Sequence, residues 1–301
     1  MTTSGPIRRV SVLSTGSVQI RPDHEAATWK PMMLWLTTSR QWTAPRPINV
    51  FVIEHNDGLV LFDTGQDRAS VTDPDYFPSG VTGWFYRRTA KADIAEDQTL
   101  TAGLSRLGYH ASDVGAAIVS HLHQDHIGGL AELSGARIHV SQAEWDTMAE
   151  PRAELAGVMR NHIDLPGLTW TRVMPEPTTD RALEPFTVAH DLFGDGSLVL
   201  VPTPGHTPGS MSLIVRQPGQ PSLAMVGDLT YAADLFDRGL VPGSGSKGQL
   251  QQTTAMMNQL RQSLGGMVVL ASHDPGAAAE LSKALASGGP CPEGATDRRT
   301  K

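Results

Sequence analysis

One cysteine occurs in 301 residues, Cys291, and it sits in a Pro/Gly-rich tail. No disulfide can close within a single chain, and no thiolate stands near any group of metal-capable residues. A basic surplus is also missing. The formal charge of −7 gives no electrostatic case for nucleic acid or for an anionic membrane surface. The short basic pairs Arg87-Arg88 and Arg298-Arg299 read as solvated surface. No apolar run approaches the length of a bilayer span. The opening residues lead into an alternating, strand-like stretch and not into an apolar signal core. Together these absences lead us to expect a cytoplasmic enzyme.

Neither a long internal linker nor a fixed-period repeat divides the chain. A single domain over residues 1–287 is expected, with 288–301 as a disordered tail. At 40% hydrophobic and 18% charged residues, there is ample material for a core. Val10 to Ile20 alternates weakly, and Val114 to Ser120 reads as a short buried strand. Ile48 to Ile53 and Leu59 to Phe62 flank the hairpin signal Asp57-Gly58. Apolar patterning predicts further strands at Arg137 to Val140, Pro185 to Ala189, Leu198 to Val201, Met211 to Val215, Leu223 to Val226 and Met267 to Ala271. Helical spacing falls on Asp97 to Leu107, Ser141 to Met148, Gln249 to Leu264 and Gly276 to Leu285. Asp73 to Lys91 shows no clean period and reads as a long loop, and Gly128-Gly129 as a turn opening a helix. Strands in both halves with helices between them predict two sheets covered by helices, a four-layer αββα sandwich of the α/β class.

Imidazole and carboxylate, by contrast, are concentrated. His121, His123, Asp125 and His126 fall within six residues, directly after a predicted strand. Core packing asks for no such cluster, whereas Zn²⁺ and its first-row neighbours take these donors. Three more donors share the position just past a predicted strand: His206, Asp228 and His273. Taken singly, these read as a turn histidine and two boundary residues. If the strand ends converge, seven donors meet, too many for one tetrahedral ion. They suit two: His121, His123 and His206 on one, Asp125, His126 and His273 on the other, with Asp228 bridging through its two oxygens. The remaining histidines, His24 among them, have no such context and read as surface or packing residues.

The run Leu61-Phe62-Asp63-Thr64-Gly65, then His121-Leu122-His123-Gln124-Asp125-His126, then His206, Asp228 and His273, resembles the metallo-β-lactamase superfamily. That resemblance implies an αββα sandwich with its site at the shared edge of the sheets, and Asp63 supporting the ligand loops from behind. Asp228 stands where some zinc β-lactamases carry cysteine, which is similar to the binuclear lactonases, glyoxalase-II-like thioesterases and phosphotriester hydrolases. Tyr231, three residues after Asp228, resembles the tyrosine of the N-acyl-homoserine lactonases.

The implied cofactors are two divalent metal ions, zinc first, with manganese, iron or cobalt acceptable. The implied reaction is opening of an N-acyl-homoserine lactone by a metal-bridging hydroxide, which quenches a quorum signal. Tyr231 would donate to the oxyanion and Asp125 would relay a proton. Met33 and Trp35 would line an acyl-chain groove, with core packing or a homodimer contact as the alternative. Other binuclear hydrolases on the same scaffold are the rivals: a pyridoxolactone-type lactonase, a thioesterase or an organophosphate hydrolase. A mononuclear iron dioxygenase would not need all seven donors, and His123 argues against the diiron flavoproteins, which carry glutamate in this element.

Overall fold

The computed structural model describes residues 5–287. The expected tail at 288–301, with Cys291, lies outside the described residues. Seven strands form the first sheet: β1 (Ile7–Ile20), β2 (Arg46–His55), β3 (Gly58–Phe62), β4 (Ala90–Asp93), β5 (Val114–Ile118), β6 (Arg137–Ser141) and β7 (Thr169–Val173). Their spatial order is β4-β1-β2-β3-β5-β6-β7. The second sheet holds β8 (Glu176–Pro177), β9 (Val188–Asp191), β10 (Leu198–Pro202), β11 (Met211–Val215), β12 (Leu223–Met225) and β13 (Val268–Leu270), in the order β13-β12-β11-β10-β9-β8.

Strand periodicity explains the layering. On β2, Phe51 and Ile53 point into the space between the sheets, where they join Leu200, Leu213 and Met225 of the second sheet. Val50 and Val52 point the other way, toward Leu100 and Leu104 of the helix Leu100–Leu107. Successive strand residues face opposite sides, so a strand covered on both faces is apolar throughout. The second sheet repeats the arrangement. Val201, Ile214 and Ala224 meet Leu250, Met257 and Leu260 of the helix Lys247–Ser263. The result is the expected αββα sandwich.

Strand direction then positions the site. β1 and β3 both run antiparallel to β2, and β3 is parallel to β5. The carboxyl ends of β1, β3 and β5 therefore share one edge. In the second sheet β10 and β12 both run antiparallel to β11, and β12 is parallel to β13. Their carboxyl ends share an edge as well. The two edges are stitched to each other, since Met211 N donates to Ser120 O at 3.0 Å and Asn49 N to Ser272 O at 2.8 Å.

Three expectations need correction. Asp73 to Lys91 is no continuous loop: it contains the helix Gly80–Thr89, and β4 begins at Ala90. The helix was hidden because Val81 and Trp84 are exposed while Gly83 and Tyr86 are buried, so hydrophobicity does not mark its inner face. Gly83 is required, because a Cβ there would meet Pro78 O at 2.0 Å. Pro185 to Ala189 is not a strand over that span; β9 starts at Val188, and Pro185 lacks the N–H a sheet ladder needs. Gly128-Gly129 opens no α-helix, only the 3₁₀ turn Leu130–Glu132, and it follows the one-turn helix Gln124–Ile127. A Cβ on Gly128 would lie 2.0 Å from Asp67 N, so these glycines admit the chain that follows β3. Among the described residues no helix is long and apolar enough to cross a membrane.

Candidate metal centre

Each candidate donor is delivered by the end of a strand. His121 and His123 lie on the loop after β5, and Asp125 and His126 on the one-turn helix Gln124–Ile127. His206 follows β10, Asp228 sits in the 3₁₀ turn Gly227–Leu229 after β12, and His273 follows β13. The convergence of edges brings all seven together. His123 Nδ1 lies 3.0 Å from both His121 Nε2 and His206 Nε2. His273 Nε2 lies 3.3 Å from Asp125 Oδ2 and 3.4 Å from Asp228 Oδ1. Asp228 spans both halves: Oδ1 is 3.4 Å from His126 Nε2, and Oδ2 is 3.5 Å from His206 Nε2.

Whether these residues fit a cation can be read from the tautomers. Each imidazole spends its outer nitrogen on the protein. His123 Nε2–H donates to Ala156 O at 2.9 Å and His273 Nδ1–H to Pro47 O at 3.1 Å. His126 Nδ1–H donates to Asp63 Oδ2 at 2.7 Å. Carbonyl and carboxylate oxygens only accept, so the outer nitrogen of each of these three rings carries a proton, and whenever the ring is neutral a bare lone pair faces inward. His121 Nδ1 rests on Ser120 Oγ at 3.0 Å and His206 Nδ1 on Ser244 Oγ at 3.2 Å. The inner atoms are thus acceptors crowded on acceptors. His126 Nε2 and Asp228 Oδ1 are buried with no hydrogen-bond partner among the described residues. A cation between them makes that arrangement favourable, and the donors close into three groups: His121-His123-His206, His121-His126-Asp228 and Asp125-His126-His273. The residues present fit divalent metal.

Electrostatics point the same way. Burial opposes a charged His126, yet Asp63, Asp228 and Asp125 push its proton affinity well up. Burial also opposes ionisation of Asp228, but His273 and His126 outweigh it and hold the carboxyl well below its usual range. His206 is pushed down to about 3, by burial first, and His121 falls well below its ordinary value for the same reason and through its imidazole neighbours. Burial opposes a charged His273 too, but Asp228 and Asp125 outweigh it and raise its proton affinity, so the carboxylates draw positive charge to this site.

Asp63 occupies the centre of the support. Its φ of 60° is a left-handed backbone that Asp tolerates better than most residues. Oδ1 accepts from Ser120 N at 2.8 Å, and Oδ2 accepts from Ser120 Oγ and Ser272 Oγ, both at 3.0 Å, besides His126. Glu144 plays a matching part that sequence reasoning missed. Fully buried, it accepts from Leu122 N at 2.9 Å, Thr207 Oγ1 at 2.7 Å and Gly209 N at 3.1 Å, tying the His121–His123 loop to the His206 loop.

A cavity of about 280 Å³ opens over the donors. Tyr231 and Trp35 line it, but Met33 does not: it is 57% exposed, and Met32 lines the wall in its place. On the helix Met32–Thr38, residues 32 and 35 share a face and 33 turns away. Phe85 and Tyr86 of the unexpected helix complete the apolar side. Tyr231 stacks on His273 with centroids 5.4 Å apart, and burial, then Asp228 and Asp125, hold its phenol well above the ordinary value.

His24 also lines the cavity, contrary to the expectation that it is a surface or packing residue. It follows the carboxyl end of β1, so the past-a-strand rule used for the donors would have marked it too. Arg46 was missed as well. It pairs with Glu25, and its Nη1 donates to Tyr231 O at 3.1 Å and His273 O at 3.3 Å.

Comparison with known proteins gives a consistent result. Residues 43–273 match the family model of the metallo-beta-lactamase superfamily. The chain is 30% identical over 241 residues to the N-acyl homoserine lactonase AttM of Rhizobium radiobacter, covering 79% of this chain and 86% of that one. A solved N-acyl homoserine lactone hydrolase, with the product N-hexanoyl-L-homoserine at its catalytic metal centre, superposes with a TM-score of 0.71 at 19% identity, over 92% of this chain and 96% of that one. A dizinc quorum-quenching lactonase, AidC, superposes with a TM-score of 0.59 at 17% identity, over 90% and 91%.

Proposed function

Because the chain belongs to the metallo-beta-lactamase superfamily, we propose that it is a cytoplasmic metal-dependent lactonase that opens the ring of N-acyl-homoserine lactones. The observation that carries this reading is the position of Tyr231, stacked on His273 beside seven converging donors and facing a largely apolar cavity. The named activity of the AttM relative supports it.

His121, His123 and His206 would hold one divalent ion and Asp125, His126 and His273 the other, with Asp228 between them. When bound, such ions supply hydroxide near neutral pH and polarise a carbonyl. The protein's own groups do the rest. The Tyr231 phenol would donate a hydrogen bond to the lactone carbonyl oxygen as negative charge develops there. Asp125, at the cavity wall, takes the proton of the attacking water and returns it to the ring oxygen as the ring C–O bond breaks. One C–O bond forms, one breaks, and the product is an N-acyl-homoserine. Trp35, Phe85 and Ile20 give an apolar wall for the acyl chain and exclude water from it.

The test is a panel of lactone, ester, thioester and phosphotriester substrates on metal-reconstituted protein, with acid release followed by pH-stat. N-hexanoyl-homoserine lactone should be turned over best. A clear preference for the thioester or phosphotriester would replace this reading by another hydrolase on the same scaffold.

A further inference from the structure

Four rings stand in a row leading away from the donors: His273, Tyr231, His24 and Trp35. Successive centroids are 5.4, 5.6 and 5.7 Å apart. His273 belongs to the donor set and Trp35 to the apolar wall, so His24 is the polar step between them. Its ring is edge-on to Tyr231, at 63°. Its Nδ1 is buried and has no hydrogen-bond partner among the described residues. An unpaired buried acceptor is tolerated better than an unpaired buried N–H, which puts the proton on Nε2. A charged ring would carry a hydrogen there too, so the donor does not depend on the state of ionisation.

The residue is held firmly. Gly243 N donates to His24 O and Ala27 N to Val241 O, at 2.9 and 2.7 Å, which fixes the one-turn helix Pro22–Glu25 against the chain at 241–243. A Cβ at Gly243 would lie 1.8 Å from Asp23 O, so the approach is as close as backbone permits. The next residue, Ser244, meets His206. Arg46 links Glu25 to the carbonyls of Tyr231 and His273, so His24 shares a frame with the site. Packing alone asks for no nitrogen at this point of an apolar wall.

We propose that His24 reads the exocyclic amide of the substrate, with Nε2–H donating to the acyl carbonyl oxygen. This rests on the lactonase reading. With the ring carbonyl at Tyr231, the neighbouring carbon carries the amide one step outward along the row, and the acyl chain then runs over Trp35. His24 thereby becomes a specificity residue: it separates N-acyl-homoserine lactones from simple alkyl lactones of similar size.

The test compares N-hexanoyl-homoserine lactone with γ-decalactone, which has a ring and chain but no amide, on the metal-loaded enzyme. His24→Phe keeps the ring's shape and removes its nitrogens; His24→Gln keeps a donor at similar reach. KM for the amide substrate should rise about tenfold in His24→Phe with kcat little changed. Turnover of γ-decalactone should stay at the wild-type level, and His24→Gln should recover most of the loss. Metal content and melting temperature serve as controls on folding. Equal losses on both substrates, or none on either, would overturn the proposal. A wild type that opens γ-decalactone as readily as the amide lactone would overturn it too. A wild type inert on every lactone would sink the lactonase reading itself, and this inference with it.

Discussion

Asp63 and His126 form a fully buried pair, with Oδ2 2.7 Å from Nδ1. The carboxylate fixes the imidazole proton outward and so aims a lone pair from Nε2 at Asp228 and Asp125, 3.4 and 3.8 Å away. One bond 63 residues apart in sequence thus decides which nitrogen a cation would meet.

Asp63→Asn tests that statement. Asn tolerates the positive φ, but its amide can no longer accept from every donor around it. Metal affinity should fall by about 10- to 100-fold, the usual cost of removing a partner behind a ligand. Competition against a chromogenic chelator measures it, and unchanged affinity would show that His126 is held by packing alone.

Asp228→Ala removes the carboxylate whose two oxygens serve both halves of the donor set. Bound metal should drop from two ions per chain to one or fewer, with activity lost. Elemental analysis after desalting gives the ratio, and two ions retained in the variant would exclude bridging by Asp228.

Tyr231→Phe should leave metal content intact and lower kcat on lactones by about 10- to 100-fold, as loss of one oxyanion donor does. Wild-type kinetics in this variant would take the phenol out of the mechanism.

Glu144→Ala strips the acceptor shared by Leu122 N, Thr207 Oγ1 and Gly209 N. Three donors left buried should cost about 3 kcal/mol of stability and loosen both loops. Denaturant titration of the apoprotein and metal affinity should both register the change; a loss of stability with metal binding intact would confine Glu144 to folding.

His139 gives a pH prediction remote from the metal donors. It is 7% exposed, and burial first, then His190 and Arg137, depress it to about 4. Unfolded, it titrates near 6.5. Between those values the unfolded chain binds the extra proton, so stability is full above pH 6.5 and is lost as the pH falls toward 4. The loss attributable to this residue is on the order of 3 kcal/mol. His139→Val should flatten that part of the stability profile, and an identical slope in wild type and variant would show that His139 is not its source.

Much of the site was legible because metal chemistry restricts residue type more tightly than it restricts position. His121, His123, Asp125 and His126 are conspicuous wherever the chain goes, and the strands before His206, Asp228 and His273 are plain apolar runs. The helix Gly80–Thr89 was not legible, since it turns Val81 and Trp84 outward and so lacks the stripe that betrays a helix. Met33 was misplaced for a related reason: neighbouring Met residues look alike in sequence, and only the helical turn decides that Met32 lines the cavity.

The chain's order of residues by itself determined the layered α/β class, the donor types and their attachment to strand ends, because those follow from local periodicity and ligand chemistry. It could not say that His24 shares the donors' space. That was decided by strand direction across two sheets, which carries the end of β1 to the same edge as β5 and so turns His24 from an unremarkable histidine into a wall of the cavity. Contacts between residues 200 positions apart depend on how sheets stack, and no local pattern encodes that.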